Sequence, residues 1–193
     1  MHAYKQVFAR DDSVTAVNPA NFQCTKSSPT DPAVWSNTNP QVALTHIFCG
    51  QIQRGKAEGY HSRPNDRDPV CARANNRVPE YQTYPLTCYN KIEVRQYVNG
   101  LRDKWIAREP GTYCFFPRQW DINQTTNTLI NIYNRCKRQR DTDKICYTNA
   151  QYPGNGNFGI VIFVAQVDGH GAINSAFPVP RSMTMPCKTL CTG

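Results

Sequence analysis

The sequence predicts an α+β fold. Three observations carry that expectation: a two-residue alternation in "CYNKIEVRQYV" at 88–98, one capped helical stripe after Asp121, and a terminal hairpin over 159–177. Strands and helices that mix without regular alternation argue for α+β and against a doubly wound α/β protein. A length of 193 residues suits one large domain with a substantial core. The longest apolar run, IVIFVA at 160–165, is strand-sized, so no helical membrane span is expected.

Residues 1–41 are rich in Asn, Pro, Thr and Ser ("SSPTDPAVWSNTNPQ") and read as an irregular lead-in with short helical stretches, packed on a main domain over 42–193. Residues 42–48 (VALTHIF) read as a buried strand, and turns at Gly50 and Gly55 lead to a second strand near His61. "RPNDRDP" and "ARANNRVPEYQTYP" read as loop. Within 88–98, Tyr89, Lys91, Glu93, Arg95 and Tyr97 share one face, and Ile92, Val94, Gln96 and Val98 the other. That pattern predicts a half-buried strand with a charged open face. "TYCFFP" is a short apolar strand. Asp121 caps a helix with Gln124 at its third position, and Leu129, Ile132, Tyr133 and Cys136 form its apolar stripe. Cations from Arg135 to Arg140 then stand where the helix dipole is negative. The hairpin comprises a strand over 159–167, a turn at 168–171 with His170 exposed at its tip, and a return over 172–177.

The formal charge is +8, and residues 91–140 hold ten basic against four acidic groups, so most of the excess lies in one quarter of the chain. Such a segment is either a solvated basic face or a contact for an anionic partner, with nucleic acid the first candidate. Nine cysteines are many for a reducing compartment, and their odd number leaves at least one unpaired. They predict disulfides and export, with a cytoplasmic chain carrying buried free thiols as the alternative. No C-x-x-C occurs, which disfavours zinc-ribbon and thioredoxin-like chemistry. The absence of H-E-x-x-H, G-x-S-x-G and a Gly-rich phosphate loop disfavours zinc-protease, esterase and nucleotide-dependent readings.

"HIFCGQIQRGKAEGYH" holds His46 and His61, fifteen positions apart. Two imidazoles beside a cation can cleave RNA without a metal, because RNA carries its own nucleophile in the 2′-hydroxyl. A neutral ring removes that proton, a protonated ring gives a proton to the leaving 5′-oxygen, and a cation stabilises the phosphorane. Two histidines in one stretch also serve structural roles, so this constellation alone does not decide the chemistry.

"HIFCG" followed by "GYHSRP" resembles the paired-histidine signature of the EndoU endoribonucleases. "FFPRQW" before a helix and "INSAFP" in the last strand are similar to the bacterial members, and the resemblance runs from about 42 to 180. It implies antiparallel sheets with flanking helices in a two-lobed catalytic domain. It also implies metal-independent cleavage of single-stranded RNA, 3′ of uridines, to a 2′,3′-cyclic phosphate. By position, His46 would be the general acid, His61 the general base and Lys91 the catalytic lysine, while Ser175 and Phe177 would flank the substrate nucleotide. Phe177 stands where many members have Tyr, and Arg95 where the coronaviral enzymes have a uracil-reading Ser. Thr45 and Gln51 stand where animal members have glutamates, which argues against manganese dependence; the chemistry itself requires no metal, and manganese stimulation stays open. The expected partners are RNA and an inhibitor or immunity protein, with the chain a monomer. Housekeeping enzyme and secreted toxin fit equally. Two rivals are a non-catalytic RNA- or polyanion-binding protein, and a Cys/His hydrolase using Cys49 or Cys114 as nucleophile.

Overall fold

The structure is a computed structural model that describes residues 16–25, 33–79, 85–97, 104–151, 157–167 and 170–192. "SSPTDP", Val98, the "EYQTY" part of the expected loop and the 168–169 hairpin tip lie outside the described residues.

The architecture is α+β, built mainly from antiparallel sheets. One sheet joins β5 (Ala72–Arg77), β6 (Thr87–Gln96) and β7 (Lys104–Ala107), and β8 (Tyr113–Phe115) also pairs with β6. The second runs β9 (Lys144–Gln151), β10 (Asn157–Val167), β11 (His170–Val179), with β10 central. A small hairpin, β3 (Gln51–Gln53) and β4 (Lys56–Glu58), follows the first histidine. In the lead-in, β1 (Ala16–Val17) pairs parallel with β2 (Trp35–Ser36), and Phe22 enters the core.

Helix α1 spans Ile122–Cys136, and the Asp121 side chain accepts from the Gln124 amide at 2.6 Å, the expected cap. Leu129, Ile132 and Cys136 are buried and Tyr133 partly so, whereas Arg135, Lys137, Arg138 and Arg140 are exposed. The stripe therefore faces the second sheet, in one cluster with Ile145, Ile160, Ile162 and Ile173. A separate cluster gathers Ile52, Tyr60, Ile92, Val94 and Phe115 between the first sheet and the β3–β4 hairpin.

Several elements differ from the sequence expectation. Only Val42 and Ala43 of the expected first strand make β-bridges, and Thr45–Cys49 form a π-helical turn. A short unbroken apolar run has no period to separate strand from buried helix. The strand expected near His61 is β4, which stops at Glu58. Ala72–Arg77 is a strand and not a loop: Ala72 and Ala74 pair with Val94 and Ile92, and their small side chains give little sequence signal. β7 and β9 carry no clear alternation and were not expected. On the charged face of β6, Glu93 is buried, and His170 is an exposed strand residue opposite Val167.

Candidate active site

Backbone pairing brings the two histidine segments together. The Ala43 amide donates to Ile173 O at 2.9 Å, which docks the start of the π turn on β11. Tyr60 N donates to His46 O, and His61 N to Ile47 O, both at 2.7 Å. Gly59 is required at this crossing. Its φ is +73°, and a Cβ there would stand 2.1 Å from His46 O. Gly50 ends the π turn at φ +69°, where a Cβ would lie 2.8 Å from Val94 Cγ2. Behind His61, the buried Tyr60 hydroxyl donates to Asp68 at 2.6 Å, and Arg63 Nε donates to the same oxygen at 2.7 Å. Arg63 also donates to the Tyr89 hydroxyl, so the "GYHSRP" stretch is held by three hydrogen bonds from two of its side chains.

The imidazole centroids lie 5.9 Å apart on the wall of a cleft of about 660 Å³, a volume suited to a nucleotide-sized ligand. Ser175 and Phe177 line the same cleft from one face of β11, two residues apart. The Phe177 ring is 5.6 Å from that of His61. Four sequence-predicted residues, His46, His61, Ser175 and Phe177, thus share one site.

Lys91 is not brought to it. Ile92 and Val94 pack toward the β3–β4 hairpin and Tyr60, and Lys91 has the opposite strand parity. It is half-exposed and pairs with Glu93 at 3.4 Å, beside an Arg73–Glu93 bond of 2.7 Å. Two cations line the cleft: Lys56, which pairs with Glu109 at 2.7 Å, and Arg108, which immediately follows β7. Arg108 has no motif of its own; its only sequence signal was membership of the basic segment.

Both histidines are buried, and both are held toward the neutral form. Burial, and then the Arg108 charge, lower the pKa of His46 to about 4. The same two causes lower His61 well below the ordinary value, with His46 adding a smaller effect. His46 Nδ1 is buried without a hydrogen-bond partner. Either ring can accept a proton; a donor ring needs an anion nearby to raise its proton affinity.

The thiol-hydrolase reading is overturned. Cys49 is bonded to Cys24, and Cys114 to Cys88, so neither offers a thiolate. The remaining thiol, Cys71, is buried, which pushes its pKa up to about 11. Two further bridges, Cys136–Cys191 and Cys146–Cys187, complete four disulfides.

No curated protein and no solved structure matches the chain. The profile of the bacterial EndoU nuclease family matches residues 40–180, which contain both histidines, Arg108 and the last hairpin. With that match covering most of the sequence, the chain belongs to the bacterial EndoU nuclease family.

Proposed function

We propose that this chain is an endoribonuclease that cleaves single-stranded RNA by transphosphorylation. The carrying observation is the pair of buried imidazoles 5.9 Å apart in a cleft shared with Ser175 and Phe177. One ring takes the 2′-hydroxyl proton, the 2′-oxygen attacks phosphorus, and the P–O5′ bond breaks as the other ring protonates the 5′-oxygen. The products are a 2′,3′-cyclic phosphate and a 5′-hydroxyl. His46 is proposed as acid and His61 as base. Phe177 offers a stacking face and Ser175 a hydroxyl to the nucleotide, and uridine preference belongs to this reading. So does the family's two-lobed arrangement, with the two sheets as lobes and the cleft between them. Export to an oxidising compartment is also proposed, supported by four disulfides in one chain.

The test is an RNA oligonucleotide with one uridine, beside the same strand carrying 2′-deoxyuridine, each with and without chelator. Cleavage of the ribose strand alone, to a cyclic phosphate, is expected in both conditions. Cleavage of the deoxy strand, or a 5′-phosphate product, overturns the mechanism in favour of activated water. Binding of the strand without cleavage supports the non-catalytic rival.

A further inference from the structure

Arg108 stands where a positive charge is costly. Its guanidinium lines the cleft beside His46 and His61, and burial lowers its proton affinity more than Tyr113 and Glu58 restore it. Among the described residues it makes no ion pair. Glu58 faces the cleft without reaching ion-pair distance, and Glu109 is held by Lys56 at 2.7 Å. The side chain is nevertheless fixed. Nη1 donates to Gly59 O at 2.7 Å, and the guanidinium carbon lies 4.1 Å from the Tyr113 ring centroid. A partly buried, oriented cation without a carboxylate, next to two neutral imidazoles, is a site waiting for an anion.

We propose that Arg108 is the third catalytic residue: it grips the scissile phosphate and stabilises the phosphorane, the role that family resemblance would give to Lys91. The inference rests on the endoribonuclease reading. Guanidinium has five N–H donors in a planar fork, and the bond to Gly59 uses one. The rest suit the non-bridging oxygens of a phosphodiester. Arg108 changes no bond itself. It meets negative charge as the 2′-oxygen adds to phosphorus, while the protons move only through the two histidines. The same phosphate offsets the effect of Arg108 on the rings, so the acid gains its proton in the complex and not before. Lys91, on the far face with Glu93, can do neither.

The experiment compares Arg108→Gln, Arg108→Lys and Lys91→Ala in single-turnover cleavage at saturating RNA across pH, with melting temperatures alongside. Arg108→Gln is expected to lower the saturated rate by roughly 10²–10³-fold, the usual effect of losing one preorganised donor. It should also move the kcat/KM profile to higher pH, because removing the cation raises both histidines. Arg108→Lys should keep the parent profile and recover part of the rate, and Lys91→Ala should stay within a fewfold of the parent. If Arg108→Gln proves unfolded, inorganic phosphate titrated into the parent protein reads the same contact: the histidine ring resonances should titrate at higher pH with phosphate than without. A parent-like rate for Arg108→Gln beside inactive His46→Ala overturns the inference and leaves the nuclease reading intact. So does a 10²-fold loss in Lys91→Ala, or equal losses in both Arg108 variants that follow melting temperature without a pH shift. Full activity in both His46→Ala and His61→Ala would instead defeat the underlying reading.

Discussion

Burial and the Arg108 charge act in the same direction on His46 and His61, and that direction sets when the pair can work. An acid–base pair needs one ring protonated and one neutral, and both rings bind protons less readily than an ordinary histidine. The kcat/KM maximum is therefore expected below about pH 6.5, the reference histidine value, and a pH profile on a short RNA checks it. Folding stability carries the matching signature. A ring whose folded pKa is depressed favours the native state fully above its unfolded pKa of about 6.5. That contribution is lost as pH falls toward about 4, because the unfolded chain then binds more protons. Melting temperature should drop between pH 7 and 4, and drop less steeply in His46→Gln. Alanine at His46 or His61 should each lower cleavage by ~10²–10⁴-fold, with the double variant little worse than either. These two residues, with Ser175 and Phe177, were legible through the resemblance of "HIFCG", "GYHSRP" and "INSAFP" to the family's motifs, not from the residues alone. Arg108 was not, since a single arginine after a short strand has no pattern. Lys91 shows the limit of parity: alternation tells which side chains share a face of β6, not which face fronts the site.

At the scale of elements, the crossing of the two histidine segments depends on one glycine. Gly59 and Gly55 have nearly the same φ, +73° and +76°, but a Cβ meets His46 O at Gly59 and nothing within 4 Å at Gly55. Gly55→Ala should cost about 1–2 kcal/mol, the left-handed penalty alone. Gly59→Ala should cost clearly more and should also lower activity, since relief of the clash displaces His46. Chemical denaturation of both variants separates backbone conformation from crowding. Helix α1 was legible from its cap and stripe, whereas the π turn was hidden in a continuous apolar run and β5 in alanines and asparagines. The exposed cations at and just after the end of α1 have a structural excuse in the helix dipole. If they also contact RNA phosphates, neutralising Arg135 or Arg138 should flatten the salt dependence of binding by up to ~1 per contact. An unchanged slope assigns them to the helix end alone.

For the whole molecule, antiparallel α+β was readable because α1 and the last hairpin declare themselves. The cysteine pairing was not, since nine positions along a chain do not say which sulfurs meet in space. Among the four bridges, Cys136–Cys191 spans 55 residues and ties the end of α1 to the segment beyond β11. Its loop length corresponds to about 4 kcal/mol on the chain-entropy model, so Cys136→Ala/Cys191→Ala should melt well below the parent, as thermal unfolding will report. The bridge nearest the chemistry has a different meaning. Cys24 lies outside the family match, which starts at residue 40, yet it is bonded to Cys49, three positions after His46. The minimal unit that can be excised and keep this geometry is therefore longer than the homologous region: a fragment cut at the family boundary would lose one anchor of the turn that carries His46. It would also orphan Cys49 next to the thiol of Cys71, whose sulfur lies within 4.8 Å of both bridge sulfurs. Such a fragment is free to close the wrong pair, and peptide mapping would find Cys49–Cys71 where the intact chain holds Cys24–Cys49.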